Sequence, residues 1–305
     1  MNKDISISKI SIGNWLNIDK NNFGNFKDII EFAYENKINY FDTASSYNFG
    51  ELSLGYAIRD LKRKDIILST KYFNYNDIKY DIGIPANYLN KSVQISLEKI
   101  KTDYLDIIFM HNYHKDIKLF NLLNTINNLY LKGYIKSWGV SRWPVEAIKE
   151  AINIVEENNF LPLKYYQGVF NLFNLSKNQI DLIRTLKRLS INFIGYSPLA
   201  RGVLTNKYNY SIPINSRAAN HKKKQFIYDL KKDKLNKVNS LVSIAERKKC
   251  TVTQLVISYL MTRNIESLLT SCVKIEQIKE TLNASKIVLN NEEKYFIKEK
   301  FNIYG

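Results

Sequence analysis

INYFDTASSYNFGELSLGYAIRDLKRKDIILSTK, residues 38–71, decides the fold. A short β-branched and aromatic run, Ile38–Phe41, gives way to 3.6-residue spacing, and a second such run, Ile66–Leu68, follows. Outward from it, Tyr104–Phe109, Ile135–Val140, Tyr165–Phe170 and Asn192–Tyr196 repeat the pattern. Their starts recur about every 25–40 residues, the length of a strand-plus-helix unit and not of a solenoid repeat. The helical stretches agree: Asn90–Ile100 sets Val93, Ile95, Leu97 and Ile100 around an apolar side, Pro144 suits the first turn of Val145–Val155, and Thr251 with Gln254 forms a capping-box pattern ahead of Leu255–Met261. With a first strand at Ile10–Gly13 and a last near Ser267–Thr270, the count reaches eight. Eight strands alternating with helices predict an α/β chain, residues 1–305 as one domain, folded as a closed (β/α)8 TIM barrel. A long loop after strand 7, Leu199 to Lys234, and an amphipathic C-terminal helix, Asn290–Phe301, complete it.

Composition narrows the function classes. Hydrophobic residues at 45%, charged residues at 24% and only 5 Pro and 11 Gly exclude collagen-like and disordered chains. The net charge of +16 raises a nucleic-acid or anionic-membrane reading, but the cations are scattered Lys, with one dense run at His221–Lys224, so neither partner is expected. Cys250 and Cys272 have no metal or redox spacing, and no metal is expected. The start MNKDISISKISIGN lacks an apolar leader segment and no stretch approaches 18 uninterrupted apolar residues, so a cytoplasmic location without membrane insertion is expected. Nothing in the pattern specifies an oligomer.

In a (β/α)8 barrel the reactive groups stand at the C-terminal ends of the strands. Asp42 follows Asn39–Phe41, Tyr47 lies five residues on, Lys71 follows Ile66–Thr70, and His111 follows Leu105–Met110. Singly, each has a structural reading as a turn cap, a solvated cation or a hydrogen-bonding core group. Together they make one unit, because a phenol becomes a competent acid or base beside a positive charge and a buried Lys needs a carboxylate.

At these residues the chain resembles the aldo-keto reductase superfamily, over nearly its whole length. FDTASSYNFGELSLG (Phe41–Gly55), ILSTK (Ile67–Lys71), DIIFMH (Asp106–His111), GVSRW (Gly139–Trp143) and GYSPLARGVLTNKY (Gly195–Tyr208) match five family blocks in order. The resemblance implies extended binding of NADP(H) and reduction of a small-molecule aldehyde or ketone. Tyr47 is the implied proton donor, Lys71 lowers its pKa, Asp42 holds Lys71, and His111 orients the carbonyl. Ser141 and Gln167 fall on carboxamide-binding positions and Tyr196 on the stacking aromatic. Ser197, Leu199, Gly202 and Lys207 fall on the pyrophosphate loop, Trp15 and Arg142 border the same site, and Arg217 matches a 2′-phosphate contact. Lys274 and Lys222–Lys224 stand as supplementary cations.

The chain departs from the family pattern in places. Arg142 and SRAAN (Ser216–Asn220) resemble the potassium-channel β-subunit branch, whose members often lack the histidine present here as His111. Near strand 8, Ser271, Val273 and Thr281 replace the usual residues, and Gln277 and Glu280 keep the adenine-side character. Trp15, Phe49, Tyr72, Tyr113 and Trp143 are candidates for an aromatic mouth. The leading expectation is an NADP(H)-dependent carbonyl reductase. The alternatives are a slow or inactive cofactor-sensing partner subunit, and a Schiff-base enzyme using Lys71 as nucleophile.

Overall fold

A computed structural model describes residues 6–15, 22–72, 86–116, 118–214, 216, 218–219 and 230–304. Arg217 and the His221–Lys224 run lie outside them. The strands are β1 (Ile10–Gly13), β2 (Tyr40–Asp42), β3 (Ile67–Tyr72), β4 (Leu105–Met110), β5 (Ile135–Ser141), β6 (Leu163–Val169), β7 (Asn192–Tyr196) and β8 (Ser267–Thr270). The helices are α1 (Phe23–Glu35), α2 (Gly50–Ile58), α3 (Ala86–Ile100), α4 (Leu119–Leu131), α5 (Val145–Asn158), α6 (Lys177–Arg188), α7 (Lys232–Asn239), α8 (Val242–Arg247), α9 (Val252–Met261), α10 (Ile275–Asn283) and α11 (Asn291–Phe301). All eight strands are parallel and pair in sequence order, and β1 pairs with β8 to close the expected barrel.

The core is double, as barrel closure requires. Between strands and helices packs one large cluster, in which Ile29, Ile30, Val93, Ile126, Ile148, Leu255 and Ile278 turn inward from their helices. Inside the barrel a smaller cluster stacks Tyr40, Ile67, Ile107, Phe109, Tyr165, Ile194 and Leu269, with Ile7, from the segment ahead of β1, joining them. This filled lumen makes the barrel a packed core and not a pore. Gly139 on β5 is small for a reason: a Cβ there would stand 2.5 Å from Phe109 Cε1 and 2.6 Å from the Tyr165 carbonyl oxygen. The register of β5 on β6 shifts at this point, between Trp138 and Gly139.

Local signals act as expected at several ends. The Thr251 hydroxyl accepts from Gln254 N (3.1 Å) while the Gln254 side chain accepts from Thr251 N (3.0 Å), completing the capping box of α9. Asn290 and Glu293 do the same for α11. Pro144 is the N-cap of α5, extended at ψ 153°, one position before the helical turn expected for it. Strand β3 runs four residues beyond Leu68 because Ser69, Thr70, Lys71 and Tyr72 are buried too. Within the segment after β7, Ala200–Thr205 forms 3₁₀ turns.

Candidate active site

Strands β2 and β3 lie side by side with Asp42 opposite Ser69, and two residues on Lys71 also turns into the barrel. Lys71 Nζ donates to Asp42 Oδ2 and to the Thr43 carbonyl (2.7 Å). Asp42 Oδ1 accepts from Ser69 Oγ (2.6 Å) and from Gln167 Nε2 (3.2 Å). Asp42 and Lys71 are 3% and 1% exposed, so this charged pair survives burial through its remaining hydrogen bonds. Burial draws the Lys71 ammonium below its ordinary value, and the Asp42 carboxylate opposes that.

The loop after β2 carries Tyr47 to the mouth. Ser45 N and Ser45 Oγ both donate to the Lys71 carbonyl (3.1 and 2.9 Å), and a turn closes from Tyr47 N to the Ala44 carbonyl (3.0 Å). Helix α2, which follows, is pinned from behind by buried Glu51, whose Oε1 accepts from Thr70 Oγ1 (2.8 Å) and Ser96 Oγ (2.6 Å). The Tyr47 ring thereby stands with Lys71 Nζ 5.3 Å from its centroid and the His111 ring 6.1 Å away, edge to face at 74°.

The electrostatics divide these two rings. Burial first, then the Asp42 carboxylate and Tyr196, push the Tyr47 phenol well above its usual value, and Arg142 is the cation that pulls it down. Lys71 is already compensated by Asp42. Burial first, then Lys71 and Arg142, push His111 down to about 3. Unfolded, this histidine takes a proton near 6.5, so between those values the unfolded chain binds more protons than the folded one. Stability therefore rises with pH through that window and is lost as pH falls from 6.5 toward 3. Urea midpoints measured from pH 7 to 4 should fall, and His111→Gln should flatten the fall; a variant with the wild-type slope would refute the assignment.

Tyr47, His111 and Asp42 open onto one cleft of about 1200 Å³ at the C-terminal ends of the strands. It is also lined by Trp15, Ser141, Arg142, Gln167, Tyr196, Ser197, Leu199, Gly202, Lys207, Gln277 and Glu280, so of the expected catalytic and cofactor residues only Lys71, which sits beneath it, and Arg217, which lies outside the described residues, are not on its wall; the supplementary Lys274 does not line it. Left-handed backbone shapes one wall: φ is 56° at Ser197, 46° at Ala200, 59° at Arg201 and 98° at Gly202, and only the glycine adopts this without strain. Gln277 Oε1 accepts from Val273 N (2.8 Å) and Glu280 Oε1 from Thr251 Oγ1 (2.6 Å), so both also tie α10 to its surroundings.

The aromatic mouth is smaller than expected. Trp15 lines the cleft, but Tyr72 and Trp143 are buried in the core, Tyr113 packs edge-on against Trp143 (5.4 Å), and Phe49 against Phe23 (6.2 Å). The sequence reading missed Ser69, Glu51, Asn14, Asn171, Arg201 and Lys234; Ser69 was legible from its place two residues before Lys71 on one strand face. Among the described residues, no three His, Cys, Asp or Glu side chains gather where they could hold a metal ion, and no helix is long and apolar enough to cross a membrane.

The profile of the Aldo/keto reductase family matches residues 9–301 of the chain. A curated relative from Arabidopsis thaliana, named as a probable voltage-gated potassium channel subunit beta, is 29% identical over 297 residues, which cover 93% of this chain and 89% of that protein.

Proposed function

The chain belongs to the aldo/keto reductase family, a family of oxidoreductases, and from that premise we propose that it reduces an aldehyde or ketone to the alcohol with NADP(H), Tyr47 giving the proton. The observation that carries this reading is the pairing of Tyr47 and His111, ring against ring at the cleft, above the buried Asp42–Lys71 pair. The bound nicotinamide supplies the hydride, the chemistry that no side chain can.

The cleft fits such a group. Two buried polar atoms beside it, His111 Nδ1 and Asn14 Oδ1, have no hydrogen-bond partner, which suits a ligand with polar atoms of its own. Ser141 and Gln167 would hold the carboxamide, Tyr196 would lie against the ring, and the left-handed turn at Ser197–Gly202 with Lys207 would take the pyrophosphate. Gln277, Glu280, Trp15 and Arg142 all line the cleft, where Gln277 and Glu280 would border the adenine and Trp15 and Arg142 the nicotinamide.

Proton placement decides between Tyr47 and His111. A phenol raised by burial keeps its proton until negative charge develops on the carbonyl oxygen, whereas an imidazole held near 3 is neutral at pH 7 and has no ammonium-like proton to release. The Tyr47 O–H bond breaks as the alcohol O–H forms, and solvent restores the phenol. Neutral His111 fixes the carbonyl by hydrogen bonding, and Asp42 locks Lys71 under the Tyr47 ring.

NADPH should quench protein fluorescence on titration, and a screen of aldehydes, quinones and keto-sugars should then oxidise it; a chain that binds NADPH and turns over none of them would overturn the reductase reading. That outcome favours a second reading, a cytoplasmic cofactor-sensing partner subunit, which the Arabidopsis relative's name supports. For cofactor choice, Arg217 is the proposed 2′-phosphate contact. A guanidinium pairs such a group bidentately, so Arg217→Ala should weaken NADPH roughly tenfold or more and leave NADH little changed. Equal losses for both would remove Arg217 from that role.

A further inference from the structure

A line of polar side chains climbs the barrel lumen on two neighbouring strands. Tyr40 and Asp42 stand two residues apart on β2, Ser69 and Lys71 two apart on β3, and Asp42 is in register with Ser69, so all four share the inner face. Tyr40 packs among Ile67, Ile107, Phe109 and Tyr165, and it and Ser69 are fully buried. The Tyr40 hydroxyl lies 2.9 Å from Ser69 Oγ, Ser69 Oγ lies 2.6 Å from Asp42 Oδ1, and Asp42 Oδ2 accepts from Lys71 Nζ. Chemistry fixes the direction of this chain. A carboxylate held by an ammonium only accepts, so Ser69 gives its single proton to Asp42, and the Tyr40 hydroxyl must then donate to Ser69. Burial, then the Asp42 carboxylate, holds the Tyr40 phenol well above its ordinary value, so that proton stays in place.

We propose that Ser69, backed by Tyr40, is a positioning residue for the proton transfer: it fixes the rotation of the Asp42 carboxylate, so that Oδ2 stays on the Lys71 ammonium and the ammonium stays beneath the Tyr47 ring. The inference rests on the reading of Tyr47 as proton donor. The 2.6 Å from Ser69 to Asp42 falls in the range of a hydroxyl bonded to a charged oxygen, and in a dry lumen successive bonds that end on a charge polarise and strengthen one another. Oδ1 also accepts from Gln167 Nε2, at a longer 3.2 Å. Gln167 lines the cleft and would engage the nicotinamide carboxamide, so without Ser69 the carboxylate would be oriented by a side chain shared with the cofactor. Ser69 and Tyr40 themselves line no part of the cleft, and they act on Tyr47 through Asp42 and Lys71.

The test uses the full chain. Ser69→Ala should lower kcat for carbonyl reduction roughly tenfold or more, with KM and NADPH affinity little changed, and Ser69→Thr, which keeps the hydroxyl, should restore most of it. Ser69→Ala also takes from the buried Tyr40 hydroxyl the oxygen to which it donates. Adding Tyr40→Phe removes that stranded group, so the urea midpoint should recover in the double variant while kcat stays low. A kcat that recovers together with the midpoint, or a Ser69→Ala enzyme with wild-type kcat, would overturn the inference. Proton–nitrogen NMR separates it from the reductase reading. The Lys71 ammonium signal, identified by its loss in Lys71→Arg, should exchange its protons with water faster in Ser69→Ala than in the wild type or Ser69→Thr. Faster exchange in a chain that reduces no carbonyl supports the positioning role while the reductase reading fails. Carbonyl turnover with an exchange rate that Ser69→Ala leaves unchanged does the reverse.

Discussion

Tyr47→Phe should cut carbonyl reduction by about 10²–10⁴-fold, the range of a lost general acid, while NADPH titrates with nearly the wild-type affinity. The separation follows from placement. The ring stays edge-on to His111 and over Lys71 in the variant, since phenylalanine keeps every apolar contact, and only the hydroxyl proton is removed. His111 cannot substitute at neutral pH, because burial and the two neighbouring cations hold it near 3. Wild-type turnover by Tyr47→Phe on the best substrate would move the proton donor elsewhere.

Lys71→Met should be the most destabilising single change at the site, by about 3–5 kcal/mol, since it strands a buried carboxylate. Asp42 would keep only Ser69 and Gln167 as donors to one oxygen. Removing both charges, in Asp42→Asn with Lys71→Met, should recover much of the loss, because two neutral groups need no compensation. Urea unfolding of the wild type, both single variants and the double variant measures this. A double variant as unstable as the sum of the singles would mean that the pair's charges do not couple.

The barrel was legible because its strands repeat at βα spacing and their apolar residues survive in every unit. Where reading stopped short, chemistry had replaced the apolar pattern. Strand β3 extends to Tyr72, yet its apolar run ends at Leu68, and why Ser69, Thr70 and Lys71 are buried is seen only once Asp42 and Glu51 meet them from the neighbouring strand and from α2. The catalytic candidates could be found by strand ends alone, whereas Glu51 could not, since its partners Thr70 and Ser96 come from different elements. The aromatic mouth failed for the opposite reason: Tyr72 ends β3 and Trp143 lies two residues past β5, both pack into the large cluster between strands and helices, and periodicity over so few residues does not fix which way they face.

The seam of the barrel joins the beginning of the chain to its end. Ser11 and Ser267, 256 residues apart, share a hydrogen bond across it, and β8 is the strand that pairs with β1 there. At ribosomal speeds that interval is on the order of tens of seconds, during which β1 presents an unpaired edge. Asp42, Lys71 and His111 emerge early but have no closed floor or water-shielded setting until the last strand is made. Nascent chains halted before Ser267 should therefore be protease-sensitive throughout and unable to retain NADPH, so that for this protein synthesis of the eighth strand is the moment at which both the fold and the site come into existence.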